Sequence, residues 1–102
     1  MLTRKEADRI MAVIQVDANA CGALFRARGK ACVIGGLYEA AFHSRGISGT
    51  YEAVSKVTAV YPLTQDECDA LIWINDAHQR TPARRRALIK EVNSWVEEEV
   101  TS

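Results

Sequence analysis

The chain has 102 residues, of which 48% are hydrophobic and 25% are charged. This length suits one domain, and this composition argues against intrinsic disorder over most of the chain. Thirteen basic and thirteen acidic side chains give a formal net charge of zero, which argues against a surface that binds polyanions over its whole area. We therefore expect a single globular domain over residues 1–102, in which any nucleic-acid-binding face is local.

Cysteine usage and hydropathy further narrow the kinds of protein that fit this sequence. Cys21, Cys32 and Cys68 are odd in number, widely spaced and without a CxxC pair, so we expect reduced thiols, no disulfide framework, no metal and no cofactor. No apolar run approaches the roughly 20 residues of a membrane span, and the polar opening residues do not resemble a signal peptide. The sequence therefore predicts a cytoplasmic protein without a membrane partner.

The first predicted helix begins near residue 4. Thr3 and Glu6 have the spacing of a capping box, in which each side chain binds a free backbone N–H of the other residue. Apolar residues then recur at three- and four-residue spacing to about residue 18, which is typical of one buried helix face. These residues are Ala7, Ile10, Met11, Ile14 and Ala18.

A short strand, a hairpin or an extended segment is predicted near residues 23–33. Apolar and basic residues alternate there, and Gly29 favours a turn. A second helix is predicted from about residue 31 to His43. Gly35 and Gly36 lie inside it, where each costs about 1 kcal/mol relative to alanine, so we expect another group to pack very close to the backbone at this point.

Three further helices complete the prediction. The third begins near Thr50 and stops at Pro62, the fourth begins with a second capping box at Thr64 and reaches about Ile74, and the fifth has Thr81 as its N-cap ahead of Pro82. Their predicted inward residues are Tyr51, Val54, Val57, Thr58 and Tyr61, then Cys68, Leu71, Ile72 and Trp73, then Leu88, Val92, Trp95 and Val96. The predicted fold class is mainly α, a compact bundle of about five helices.

Two short motifs carry a family resemblance. Gly29, Cys32 and Gly35 lie at three-residue spacing and lead into a helix, and later in the chain Trp73–Asp76 precede Arg80–Thr81. Over roughly residues 24–95 this combination resembles a family of small uncharacterised phage and actinobacterial proteins, in which the tryptophan directly precedes the asparagine. The resemblance implies an origin in a phage or prophage and no particular activity.

Cys32 is the candidate nucleophile of an enzyme. A thiol at a helix N-terminus feels the positive end of the helix dipole, which lowers its pKa. His78 is the candidate base, with Asp76 or Asn75 to orient it. The alternative is a buried thiol that packs beside Gly35, and we favour it because free cysteine is among the most buried residue types.

Asn75 and Asp76 also have two interpretations. An amide and a carboxylate side by side can hold a ligand, but the same residues ahead of a Thr-Pro helix start are typical of turns and caps, which is the interpretation we favour. His78 has no second histidine or cysteine at ligand spacing, so it does not indicate a metal site.

Basic residues form two clusters whose combination would neutralise several phosphates. Positive charge in the first turn of a helix opposes the helix dipole, which suggests an acidic partner or compensation by the acidic run Glu97–Glu99 and by the carboxylates of the fourth helix. The alternative is a solvated face whose charges are compensated within the protein. The clusters are Arg26, Arg28 and Lys30, and then Arg80, Arg84, Arg85, Arg86 and Lys90.

From these observations we expect a small phage-encoded binding protein that modulates a host protein by occupying one of its surfaces. A nucleic-acid-binding helical domain is the alternative, a cysteine-dependent enzyme ranks third, and a homodimer is compatible with the sequence. The candidate partner- or ligand-binding residues are Gly35, Gly36, Asn75, Asp76, Arg80, Arg84, Arg85 and Arg86, and the candidate catalytic residues are Cys32, His78 and Asp76.

Overall fold

A computed structural model describes residues 1–97 and contains five helices and one short hairpin. The predicted mainly helical fold is therefore confirmed. Glu98 and Glu99 of the predicted acidic run lie outside the described residues. Within the described part of the chain, no helix is long and apolar enough to cross a membrane. The elements are α1 (Arg4–Val16), β1 (Phe25–Arg26), β2 (Lys30–Ala31), α2 (Val33–Phe42), α3 (Thr50–Val60), α4 (Gln65–Ala77) and α5 (Thr81–Ser94).

Both predicted capping boxes are present. In α1 the N–H of Glu6 donates to Thr3 Oγ1 at 3.1 Å, and the N–H of Thr3 donates to Glu6 Oε1 at 2.8 Å. Thr64 and Glu67 repeat this arrangement with the same two distances at the start of α4. These reciprocal hydrogen bonds satisfy N–H groups that have no partner within the helix, which fixes where each helix begins.

Helix ends differ from the prediction at several places. Helix α1 ends at Val16 rather than near residue 18, so Ala18 is buried just beyond the helix, and α2 begins at Val33 rather than near residue 31. Helix α4 continues past Ile74 to Ala77, so the Asn75–Asp76 pair is helical rather than part of a turn. The N-cap of α5 is Arg80 rather than Thr81, because the backbone is extended at Arg80 and already helical at Thr81. The Thr81 hydroxyl accepts a hydrogen bond from Arg84 instead of capping the helix. Helix α5 ends at Ser94, so Trp95 and Val96 pack against the core from just beyond the helix.

The predicted extended segment is an antiparallel hairpin. Phe25 pairs with Ala31 and Arg26 pairs with Lys30. The turn between the strands passes through left-handed backbone at Arg28 and Gly29, with φ angles of 64° and 74°. Glycine adopts this conformation without the steric cost that a Cβ imposes, which accounts for Gly29 at the turn.

One apolar core receives side chains from all five helices, and α2 packs against α1, α3 and α4. The first six residues of α2, from Val33 to Tyr38, are all buried. Burial around the whole circumference is typical of a central helix, since neighbouring elements cover it on several sides. The largest fully buried side chains include Ile10, Ile14, Ile34, Leu37, Leu71 and Leu88.

The predicted close approach at Gly35 and Gly36 is confirmed. A Cβ added at Gly35 would lie 2.3 Å from the carbonyl oxygen of Leu24, which belongs to the segment leading into β1. A Cβ added at Gly36 would lie 2.6 Å from Cβ of Asp17, the C-cap of α1. The two glycines therefore let the central helix touch the chain on either side of it.

Two aromatic residues that were predicted to face inward are exposed. Tyr51 is 84% exposed, because α3 turns Ala53, Val54 and Val57 toward the core and leaves Tyr51 on its outer side. Trp73 is 74% exposed. In α4 the inward positions are Cys68, Leu71 and Asn75, at helical spacing that excludes position 73.

Candidate functional site

Arg84 lies inside the protein, with only 2% of its surface exposed. Its Nε donates to the carbonyl oxygen of Asn75 at 2.8 Å, its Nη1 to that of Ala18 at 2.8 Å and its Nη2 to that of His78 at 2.6 Å. A buried guanidinium needs such acceptors because its charge is expensive to remove from water. The donors of Arg84 are therefore used within the fold, and its predicted contact with a partner receives no support from the structure.

Arg85 is held in a similar way. Its Nε donates to the carbonyl oxygen of Asp17 and its Nη2 to that of Val16, both at 3.0 Å. Arg84 and Arg85 thus bind the carbonyl ends of α4 and α1, where the helix dipoles are negative, and neither helix has a basic residue in its own last turn. This arrangement explains the basic first turn of α5 without an acidic partner.

The rest of the second basic cluster remains on the surface. Arg80, Arg86 and Lys90 are exposed. In the first cluster Arg26 is also exposed, although its guanidinium donates to the carbonyl oxygen of Cys21. Fewer arginines of α5 are therefore available to phosphates than the sequence suggested.

Asn75 is fully buried in the last turn of α4 and caps another helix. Its Oδ1 accepts the N–H of Val33, the first residue of α2, at 3.1 Å, and its Nδ2 donates to the carbonyl oxygen of Ala20 at 2.8 Å. A capping function was favoured for this residue, but the helix it caps is distant in sequence. With both ends of its amide bound inside the protein, Asn75 is a positioning residue rather than a contact for a ligand.

Asp76 lies beside Asn75 but on the surface. Its Oδ1 accepts hydrogen bonds from the N–H of Gly22 at 3.0 Å and from Nδ2 of Asn75 at 3.1 Å. Among residues 1–97, no hydrogen bond or ion pair engages its second carboxylate oxygen. That oxygen is therefore available to a partner.

Cys32 is the N-cap of α2, and its thiol is buried. Its Sγ accepts the N–H of Gly35 at 3.3 Å. Burial raises the pKa of Cys32, and the backbone hydrogen bonds only partly offset this effect. The predicted lowering of the Cys32 pKa by the helix dipole is therefore wrong, because desolvation of the thiolate is the larger effect.

The proposed catalytic set is only partly assembled. Cys32 and Asp76 line one small cleft of about 70 Å³, but His78 does not line it. The backbone carbonyl of His78 binds Arg84 at the end of α4. Among residues 1–97, no group of three or more His, Cys, Asp or Glu side chains is placed to hold a metal ion.

A larger cleft lies along the outer side of α4 and is here named the α4 groove. It has a volume of about 450 Å³ and joins the small cleft, with which it shares Ile72 and Asp76. Its lining combines two carboxylates with apolar surface: Asp69, Ile72, Trp73, Asp76 and Ala77. Sequence reasoning missed Trp73 as a site residue, although its position between two acidic residues at helical spacing was visible.

Comparison with known proteins gives no assignment: no family model, curated protein or solved structure matches this chain. The resemblance to phage and actinobacterial proteins therefore stays a prediction.

Proposed function

We propose that this chain is a small binding protein that acts by occupying a surface of a partner protein through the α4 groove, with Trp73 at the centre of the contact. The observation that carries this proposal is the 74% exposure of Trp73 beside a cleft. In the isolated chain most of the apolar surface of this tryptophan stays in contact with water, so the favourable free energy of burying it is not gained. Contact with a partner would bury that surface.

The surroundings of Trp73 support a binding contact. Ile72 is half-buried and lines the groove next to it, so apolar surface continues from the tryptophan into the cleft. Tryptophan is among the residues most enriched in the energetically dominant contacts of protein interfaces. The buried side chains of Leu71 and Asn75 hold α4 against the core, so the orientation of its outer face, including Trp73, is set within the fold.

The rival functions receive less support from the described residues. The side chains of Arg84 and Arg85 donate hydrogen bonds to backbone carbonyls, which weakens the case for a nucleic-acid-binding face. The raised pKa of Cys32 weakens the case for a thiol enzyme. If the resemblance to phage proteins reflects common origin, the partner is a protein of the bacterial host.

A site-specific photocrosslink tests the proposal. The photoreactive residue benzoylphenylalanine replaces Trp73 in one variant and Val16 in another, since Val16 is 71% exposed on α1 and provides a matched control. Both tagged proteins are irradiated in a nuclease-treated bacterial lysate. We expect one discrete protein adduct from position 73, none from position 16, and loss of the adduct when unmodified protein is added in excess.

Other outcomes would contradict the proposal. Equal adducts from both positions, or none from position 73 while a partner is retained on the affinity matrix, would show that the α4 groove is not the contact. A parallel capture from lysate without nuclease that retains material absent from the nuclease-treated sample would instead support the nucleic-acid alternative.

A further inference from the structure

We infer that the occupant of the α4 groove is a basic segment of the partner protein, with lysine or arginine side chains lying against Trp73 and between the carboxylates of α4. This inference rests on the proposed binding function and specifies the chemistry of the partner. It is carried by the arrangement of charge along α4.

Acidic residues and the exposed tryptophan form one stripe on α4. Asp66, Asp69, Trp73 and Asp76 are separated by three, four and three residues, which places them on the same side of a helix. All four are exposed, and helix α4 contains no basic residue. The stripe therefore presents three carboxylates and one indole ring on the same side of α4.

Helix energetics explain only one end of this stripe. Asp66 lies in the first turn, where the positive end of the helix dipole favours a carboxylate. Asp76 lies in the last turn, where the dipole opposes one. The hydrogen bond to Gly22 uses one oxygen of Asp76, so the charge at this unfavourable position is only partly explained by the fold.

The carboxylates of the stripe lack cationic partners within the described chain. The two ion pairs among residues 1–97 are Arg4 with Asp8 and Arg45 with Glu39, and neither involves α4. Arg84, which is buried beside the end of α4, donates to backbone carbonyls, to Thr81 and to Cys21. Asp66, Asp69 and Asp76 are thus available to cations from outside.

A basic segment complements each of these features at once. A guanidinium or ammonium group is attracted to the face of an indole ring, and tryptophan is the best aromatic residue for this contact. Flanking carboxylates then accept its N–H donors. An acidic or uncharged segment would leave the carboxylates unpaired in a contact that excludes water, and a second copy of this chain packed α4 against α4 would bring like charges together.

The test uses fluorescence of the full chain carrying Trp95→Phe, so that Trp73 is its only tryptophan. The probes are a short peptide rich in lysine and arginine, a matched peptide rich in glutamate, and an uncharged glycine-serine peptide. We expect only the basic peptide to change the Trp73 emission, with an affinity that falls as salt is added.

Variants locate the contact. Asp69→Asn and Asp66→Asn are each expected to weaken binding of the basic peptide about threefold, as for exposed charge pairs. Trp73→Ala, followed with a labelled peptide, is expected to weaken it about thirtyfold. Asp8→Asn on α1 removes an exposed carboxylate away from the groove and is expected to leave the affinity unchanged.

The outcomes separate this inference from the proposed function. One pair of results would overturn the inference: position 73 crosslinks to a partner, but the basic peptide does not bind or binds equally to Asp8→Asn, Asp69→Asn and Trp73→Ala. The groove would then bind a partner segment that is not basic. If the peptide binds at Trp73 but no partner crosslinks there, the chemistry of the groove stands and the proposed function fails.

Discussion

At the scale of single residues, Arg84 is the side chain on which the most separate parts of the chain depend. It joins the end of α4 to the segment after α1, where Ala18 has a left-handed backbone with φ of 61°. A non-glycine residue in this region costs on the order of 1 kcal/mol, and the hydrogen bond from Arg84 to the carbonyl oxygen of Ala18 helps to offset that cost. Arg84, one of the basic residues of α5, therefore has a structural function.

Replacement of Arg84 by methionine is expected to lower the free energy of unfolding by about 3 kcal/mol. It removes the donor of the Ala18 carbonyl oxygen, and it leaves the carbonyl oxygens of Asn75 and His78 with only the weak thiol donor of Cys21. Urea denaturation followed by circular dichroism measures the loss. Arg86→Met is the matched control, since Arg86 is exposed, and we expect a change within about 0.5 kcal/mol. Equal losses in the two variants would contradict the structural assignment of Arg84.

At the scale of elements, the central position of α2 depends on the absence of two Cβ atoms. Helix propensity alone favours alanine over glycine by about 1 kcal/mol. At Gly35 this preference is reversed, because the space for a Cβ is filled by the carbonyl group of Leu24. The hydrogen bond from the N–H of Cys32 to that same oxygen, at 2.9 Å, fixes the two segments at this distance.

Gly35→Ala is therefore expected to destabilise the protein by about 3 kcal/mol, since backbone has to move to admit the methyl group. Thermal unfolding measures the effect. Gly49→Ala provides the comparison, because a Cβ there meets nothing within 4 Å and the backbone is extended with φ of −171°. We expect a loss below about 1 kcal/mol at this N-cap position; a similar or smaller loss at Gly35 would show that the helix shifts freely.

At the scale of the whole molecule, the two tryptophans serve different purposes. Trp95 packs against the core just beyond α5, and its carbonyl oxygen accepts the N–H of Leu2, which brings the two ends of the described chain together. Trp73 lies on the surface. Stability should therefore depend on Trp95, and partner binding on Trp73.

Single alanine substitutions test this division. Trp95→Ala is expected to lower the free energy of unfolding by about 2 kcal/mol, whereas Trp73→Ala is expected to change it by less than about 0.5 kcal/mol. Chemical denaturation of both variants gives the two values. A large loss for Trp73→Ala would mean that the indole supports the fold, which would remove the main argument for a binding surface.

Local signals in the sequence determined the helices and several of their boundaries. Thr3 with Glu6 and Thr64 with Glu67 each satisfy backbone N–H groups within one turn, so the start of α1 and the start of α4 follow from four adjacent residues without tertiary information. The close approach at Gly35 and Gly36 was also predictable, because two glycines inside a helix have an energetic cost that only packing offsets.

The tertiary structure alone decided what the polar and aromatic side chains do. Asn75 caps α2, and Arg84 binds the carbonyls of Ala18 and His78. These partners are distant in sequence or lie on another element, so they leave no periodic signal in the chain. Trp73 is apolar and helical, which by composition predicts burial, yet its outward position depends on the rotation of α4 about its axis. That rotation is set by which residues the neighbouring helices cover, so the candidate site became visible only when the helices were packed together.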